Sequence, residues 1–183
     1  MDERTRTTLD HIHSEDRELQ NEAYFALIEQ TDTPVDWAYD AWNGLVTDLR
    51  HKDNHVRAIA AQVLCNLAKS DPEQRMLKDF DALLAVTKDE RFVTARHCLQ
   101  ALWKVGVAGK PQQQKVMEGL EQRFNECSAE KNCTMIRYDI IQSMSNVFDE
   151  VKDEQIKTKA LALIETEPDV KYRKKYAGVW KAK

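Results

Sequence analysis

The side chains in this sequence best suited to chemistry are its five histidines and four cysteines. His51 and His55 are four positions apart, a spacing that places two metal ligands on one helix face, but no cysteine or carboxylate completes a site at a suitable distance. The pair also spans the turn-like segment "HKDNH", which favours solvated side chains. The sequence has no glycine-rich phosphate loop, no G-x-S-x-G and no H-E-x-x-H. We therefore predict no catalytic residue, no metal, no cofactor and no enzymatic activity.

The cysteines show no zinc-finger spacing. Cys65 and Cys98 fall inside apolar helical patterns, where a free cysteine behaves as a small buried hydrophobe. Cys127 and Cys133 flank the short segment "SAEKN" and could approach each other. The N-terminal stretch "MDERTRTTLDHIH" is charged and unlike a signal peptide, and no run approaches the roughly 20 apolar residues of a membrane span. These features predict a cytoplasmic protein, away from membranes, with free thiols.

Apolar residues recur three and four positions apart along most of the chain, as in amphipathic helices. Trp37, Ala41, Leu45 and Leu49 form one such stripe. No stretch alternates with period two for long enough to indicate a β-sheet. Each of the four prolines falls where a helical pattern is about to begin, a position at which proline is well tolerated. The sequence therefore predicts an all-α protein.

The helical segments also repeat. Val56, the first apolar residue after Asp53, has counterparts at Leu19, Phe92, Ile136 and Val170, about 34 to 44 positions apart, which is the range of two-helix repeats. A single pair is too small to bury its own apolar faces, so neighbouring pairs must stack. We predict a single domain over residues 1–183, with five helix pairs at about 2–31, 34–69, 72–108, 111–150 and 153–181.

The segment "LVTDLRHKDNHVRAIAAQVLCNLA", residues 45–68, resembles a HEAT repeat. It has an aspartate in the turn, Val-Arg at the start of the second helix, and then small and large apolar residues. The match is partial at Ile136 and Arg137, and weaker where Val93 or Lys171 takes the place of the arginine. The resemblance covers most of the chain and implies a right-handed α-α superhelix of about five HEAT-like helix pairs. It specifies little about activity, because such folds serve many functions.

In HEAT-like proteins the turn aspartate and the helix-opening arginine pair between neighbouring repeats. The resemblance therefore implies a structural ladder in which Asp53, Asp89 and Asp169 are available acceptors for Arg57 and Arg137. A charge beside an apolar stripe is tolerated when it is paired and hydrogen-bonded. A direct contact between Arg57 and a ligand is the alternative.

Charge is unevenly distributed. The net charge is −4, yet the predicted second-helix segments 54–69, 91–108, 134–148 and 170–183 together hold twelve cationic residues and one acidic residue. The resemblance places second helices on the concave surface, so we expect a basic hollow that attracts an acidic protein or a phosphate backbone. Alternatively, these cations complement helix C-termini or belong to a solvated terminal cap.

We expect a non-enzymatic scaffold that recognises another macromolecule, in the first place a protein, along the concave second-helix surface. The alternative is a nucleic-acid-binding protein related to HEAT-like alkylation-repair DNA glycosylases, although the site of that family cannot be mapped onto this chain. The expected contact residues are polar, charged or aromatic and lie on second helices: Arg96, His97, Gln100, Lys104, Tyr138, Gln142, Lys174 and Lys175.

Overall fold

The computed structural model describes residues 1–181, and all regular secondary structure in this part of the chain is helical. The cation expected at Lys183 lies outside the described residues. The all-α prediction is confirmed. The α-helices are α1 Glu3–His11, α2 Arg17–Gln30, α3 Ala38–Asp48, α4 Asn54–Leu67, α5 Arg75–Val86, α6 Phe92–Ala101, α7 Trp103–Gly106, α8 Lys110–Glu126, α9 Cys133–Val151, α10 Glu154–Glu165 and α11 Val170–Gly178.

Helix starts follow from the sequence. Five helices begin after an aspartate whose carboxylate accepts a hydrogen bond from a backbone N–H of the first turn, which satisfies a donor that the helix leaves without a partner. Pro111 lies in the first turn of α8, and the other three prolines lie in the turns before α3, α5 and α11. The capping aspartates are Asp2, Asp16, Asp53, Asp153 and Asp169.

The helices group into two compact units. The first, Met1–Ala101, contains α1 to α6, and the second begins at Leu102 and contains α7 to α11. The boundary falls inside the predicted third pair, where the long helical pattern of residues 91–108 is divided into α6 and α7.

The first unit is built around α4, which contacts α2, α3, α5 and α6. Its side chains Val63, Leu64 and Cys65 are fully buried or nearly so. Hydrogen bonds join residues 32 to 40 positions apart in the chain, which is about one repeat. This recurring offset of about one repeat indicates that two-helix repeats stack side by side within the unit. Examples are Tyr24 with Gln62, Asn66 with Thr31, Tyr39 with Asp71 and Trp42 with Asp79.

The second unit is built around the long helix α9, which contacts α7, α8, α10 and α11. A similar offset recurs here, since Lys159 pairs with Glu121 and the Tyr176 hydroxyl donates to the Thr134 carbonyl at 2.7 Å. At Gly106 a Cβ would lie 2.9 Å from a methyl of Val147, so α7 lies against α9 more closely than any other residue would allow.

Candidate functional site

Arg57, the charged residue in an otherwise apolar pattern, joins neighbouring repeats. Its Nε and Nη2 donate to the two carboxylate oxygens of Asp89 at 2.5 and 2.8 Å, and its Nη1 donates to the carbonyls of His51 and Lys52. The Arg57 and Asp89 side chains are only 12% and 6% exposed. The hydrogen bonds that Arg57 donates to Asp89 raise the pKa of Arg57, so the guanidinium stays charged. Its donors are directed into the turn between repeats.

Asp53 accepts a hydrogen bond from Arg17 at 2.7 Å and also caps α4 through the backbone N–H of His55. Burial would raise the pKa of Asp53, but the hydrogen bonds from Arg17 and the His55 N–H outweigh it and lower the pKa. The repeat pattern did not point to Arg17, because it lies two positions before the anchor Leu19 rather than directly after it.

In the second unit, Arg137 has a partner that differs from the one expected. Its Nη1 donates to Glu167 at 2.8 Å, and its other nitrogens donate to the Phe124 carbonyl and the Ser128 hydroxyl. Asp169 instead caps α11 by accepting from the Lys171 N–H at 2.8 Å. The longer Glu167 side chain is buried in this turn, whereas Asp169 is an exposed residue at a helix end. Asp169, one of the expected ladder acceptors, is therefore replaced by Glu167 as the carboxylate partner of Arg137.

The second helices of the first unit enclose an open groove of about 630 Å³, here called the α2–α4–α6 groove. Ala58 and Ile59 form its buried floor. Phe25 on α2 and Val93 on α6 form its walls and are 68% and 63% exposed, which is high for large apolar side chains. The groove is lined by Asn21, Tyr24, Phe25, Asn54, His55, Ala58, Ile59, Gln62, Arg91, Phe92, Val93, Thr94 and His97.

This concentration of exposed apolar surface distinguishes the groove. Among residues 1–181 four large apolar side chains are exposed, and Phe25 and Val93 are the two most exposed of them; the others are Leu161 and Val170. A side chain of this size gains about 1.5–3 kcal/mol when it is fully buried, and here most of that stabilisation is not realised on folding. Exposed apolar surface rimmed by polar groups is typical of binding sites.

The polar groups around the groove are held in place. The Tyr24 hydroxyl donates to Gln62 at 2.9 Å, and the Gln62 amide donates to the Ala58 carbonyl at 3.0 Å. His97 is exposed as a whole residue, but partial burial of its ring, together with the nearby Arg96 and His55, lowers the pKa of His97 and favours the neutral imidazole at pH 7. Arg91 is the one Lys or Arg residue that lines the groove, and no lining residue is an Asp or Glu. The hollow is therefore apolar in this unit, and not the basic surface that we expected.

Three predicted contact residues lie on α6. His97 is exposed and lines the α2–α4–α6 groove. Arg96 is half-exposed, with its guanidinium carbon 5.9 Å from the centre of the Phe92 ring. Gln100 is exposed one turn further along α6. Of these three, only His97 is brought to the groove.

The other predicted contact residues lie in the second unit. The Lys175 ammonium sits 4.6 Å from the centre of the Tyr138 ring, so these two are brought together between α11 and α9. Lys174 is exposed on α11, and Gln142 donates to Asn146 at 2.9 Å along α9. Lys104 on α7 lies 6.0 Å from the ring of the adjacent Trp103.

Phe25 and Val93 were missing from the residues predicted by sequence, although each leaves a signal. The run "AYFALI" contains six consecutive apolar residues, and a helix cannot turn all of them toward one core. Val93 occupies the repeat position that Arg57 holds, so an apolar side chain stands where the pattern expects a charge. Both departures from the pattern fall on side chains that the structure leaves exposed.

The comparisons with known proteins give evidence about the fold of the chain and none about its function. No protein-family model matches the chain, and no curated protein matches it. Two engineered proteins solved by the Northeast Structural Genomics Consortium are similar in structure. One has a TM-score of 0.53 at 15% identity, covering all of both chains, and the other a TM-score of 0.50 at 16% identity, covering 98% of this chain and 95% of the other. A designed armadillo repeat protein in complex with the peptide (KR)4 matches with a TM-score of 0.48, at 13% identity and 99% coverage of both chains.

The helices and the hydrogen bonds offset by about one repeat define the class: the chain is an all-helical repeat protein. Within residues 1–181, no helix combines the length and the apolar character that crossing a membrane requires. In the same part of the chain, no three His, Cys, Asp or Glu residues cluster in an arrangement that could hold a metal ion.

Proposed function

We propose that this protein is a non-enzymatic scaffold of the HEAT type that binds another protein along its second-helix surface, with the α2–α4–α6 groove as the primary contact. The observation that carries this proposal is the exposure of Phe25 and Val93 toward one groove rather than toward the core. The Arg57–Asp89 pair supports the HEAT assignment, because it joins a helix-opening arginine to the turn aspartate of the next repeat.

The chemistry of the groove indicates what kind of segment it accepts. A volume of about 630 Å³ matches that of pockets that hold compact ligand groups, roughly 300–1,000 Å³. An apolar side chain of the partner inserted between Phe25 and Val93 would bury all three. Arg91 lines the groove and no lining residue is acidic. An acidic residue next to the apolar anchor would therefore find a cation and meet no like charge.

In this proposal the second unit makes a secondary contact with the partner through Tyr138, Lys174 and Lys175. Lys175 lies against the Tyr138 ring, and both lysines are exposed. An acidic stretch of the partner would suit them, because tyrosine supplies a flat amphipathic surface and lysine supplies the charge.

Nucleic-acid binding receives less support. Binding to a phosphate backbone depends on several cations acting together. The groove is lined by one arginine and no lysine, and its walls are apolar. We therefore do not propose a relation to DNA glycosylases.

The test compares groove variants with a matched surface control. The chain is used to capture partners from a lysate of its source, and each recovered partner is then titrated in purified form. We expect F25A/V93A to weaken binding at least about tenfold, since truncating residues at the centre of an interface costs 1 kcal/mol or more each. L161A removes an exposed apolar side chain on α10, outside both proposed contacts, and should leave the affinity unchanged.

Charge reversal at Arg91 tests whether the partner places an acidic residue beside the apolar anchor. R91E should weaken binding of the same purified partner, and the loss should shrink at high salt. Equal affinity for wild type and F25A/V93A, or equal losses with F25A/V93A and L161A, would show that the groove is not the contact surface. Tight binding of duplex DNA or single strands at low salt, with the steep salt dependence of phosphate contacts, would favour the nucleic-acid alternative.

A further inference from the structure

Two cysteines meet at the turn between α8 and α9. Cys127 opens a short 3-10 turn, Cys127–Ala129, and Cys133 is the first residue of α9. Their sulfur atoms lie 2.8 Å apart although both cysteines are free. A disulfide requires about 2.05 Å, so the sulfurs need to move together by less than about 1 Å.

We propose that Cys127 and Cys133 form a reversible dithiol–disulfide site whose co-substrate is a low-molecular-weight disulfide of the glutathione type. This inference is independent of the proposed partner-binding function. Cys65 and Cys98 do not belong to the site, because both are fully buried within the first unit.

The difference in exposure between the two sulfurs sets the order of events. Cys133 is partly exposed and Cys127 is buried. The Cys133 thiolate attacks one sulfur of the small disulfide, forming a mixed disulfide and releasing one small thiolate. Cys127 then loses its proton to solvent and attacks the Cys133 sulfur, which releases the second small thiolate. The two cysteines are oxidised by two electrons and the small disulfide is reduced to two thiols.

The surroundings of Cys127 assist the second step. Burial, the hydrogen bond with Cys133 and repulsion from Cys133 raise the pKa of Cys127 to about 12 in the dithiol. Once the Cys133 sulfur carries a substituent, that hydrogen bond and that charge are lost. The guanidinium groups of Arg123 and Arg137 remain, and both act to lower the pKa of the Cys127 thiol. Burial still raises the pKa of Cys127 in the mixed disulfide, but the pKa is lower there than in the dithiol, which assists ring closure.

The disulfide would stiffen the turn that carries the Arg137–Glu167 pair. Arg137 is bonded to the Phe124 carbonyl and the Ser128 hydroxyl, on either side of Cys127. Closing the bond between residues six positions apart ties the end of α8 to the start of α9 and restricts the unfolded chain.

The test equilibrates the full chain with mixtures of reduced and oxidised glutathione, quenches with acid, and alkylates with N-ethylmaleimide in denaturant. Intact mass and peptide mapping should show one intramolecular Cys127–Cys133 bond, with Cys65 and Cys98 alkylated. If the disulfide stabilises the fold, the fold must favour the disulfide by the same free energy. The equilibrium constant for forming the Cys127–Cys133 bond from oxidised glutathione should therefore be at least about tenfold larger for the folded chain than for the chain in urea.

Single-cysteine variants check the order of attack. C127S should stop at a stable mixed disulfide on Cys133, whereas C133S should form no adduct under the same conditions. The proposal is overturned if the folded and urea-unfolded chains give equal constants, if the bond links two molecules, or if it involves Cys65 or Cys98. If a variant does not fold, the comparison of folded and unfolded wild type decides alone.

Discussion

Replacing Arg57 with methionine tests whether this residue is part of the architecture. The substitution keeps most of the apolar stem and removes the guanidinium, so Asp89 loses two hydrogen bonds and the carbonyls of His51 and Lys52 lose a donor. Asp89 retains the backbone N–H of Arg91 at 2.8 Å. The expected consequence is a destabilised first unit with its helices intact.

The magnitude follows from burial. Breaking a fully buried ion pair by removing one partner costs about 3–5 kcal/mol. Because Asp89 retains one donor and Arg57 is 12% exposed, we expect a loss of about 2–4 kcal/mol in the free energy of unfolding. For a chain of this size each kcal/mol lowers Tm by about 2–4 °C, so the expected decrease is roughly 5–15 °C.

Urea and thermal unfolding followed by circular dichroism measure this loss, with R17M as the matched control. Arg17 makes the equivalent contact to Asp53, but its side chain is 52% exposed, and exposed pairs contribute less than about 1 kcal/mol. The cycle R57M, D89N and the double variant should give a coupling energy of about 1–3 kcal/mol. A Tm for R57M within 2 °C of wild type, combined with loss of partner binding, would refute the architectural role and identify Arg57 as a ligand contact.

The same pair predicts a pH dependence. Burial opposes ionisation of Asp89, but the hydrogen bonds from Arg57 and the Arg91 N–H outweigh it and lower the pKa of Asp89 from 3.8. A carboxyl group whose pKa is lower in the folded than in the unfolded chain stabilises the fold at pH values above its unfolded-state pKa. That contribution is lost as the pH falls through its folded-state pKa. The difference in Tm between wild type and R57M should therefore be largest near neutral pH and narrow below about pH 4.

Three further predictions concern single positions. Gly106→Ala should destabilise by about 1–3 kcal/mol, because the new methyl meets an α9 valine at 2.9 Å. Gly44→Ala, in the open middle of α3, should instead stabilise by about 0.5–1 kcal/mol in the same urea titration; equal effects would contradict the packing of α7. Hydrogen bonds led by the one from Lys110 lower the pKa of Asp153 to about 2, so the stability difference between wild type and D153N should persist at pH 5 and shrink as pH approaches 2; a constant difference would refute this. An acidic partner should bind more tightly at pH 6 than at pH 7, since burial lowers the pKa of His97 and a bound carboxylate would raise it; H97Q should remove that dependence in calorimetric titrations.

The sequence by itself determined the secondary structure and the repeat. Apolar spacing, capping aspartates and prolines act within one or two helical turns, so they are visible in a linear pattern. The Val-Arg signature after Asp53 pointed to a repeat-to-repeat role for Arg57, because a charge in an apolar stripe requires a partner. The region around Leu19 and Phe92 was least informative, since the signature there is incomplete.

Only the tertiary structure decided which side chains meet. The choice of Glu167 over Asp169 by Arg137 depends on side-chain length and burial in one turn. The groove between Phe25 and Val93, and the 2.8 Å approach of Cys127 and Cys133, depend on how helices distant in sequence or separated by a turn are rotated against each other. A linear pattern records which face of a helix is apolar, but not the rotation and offset at which that face packs, and these set every contact between repeats.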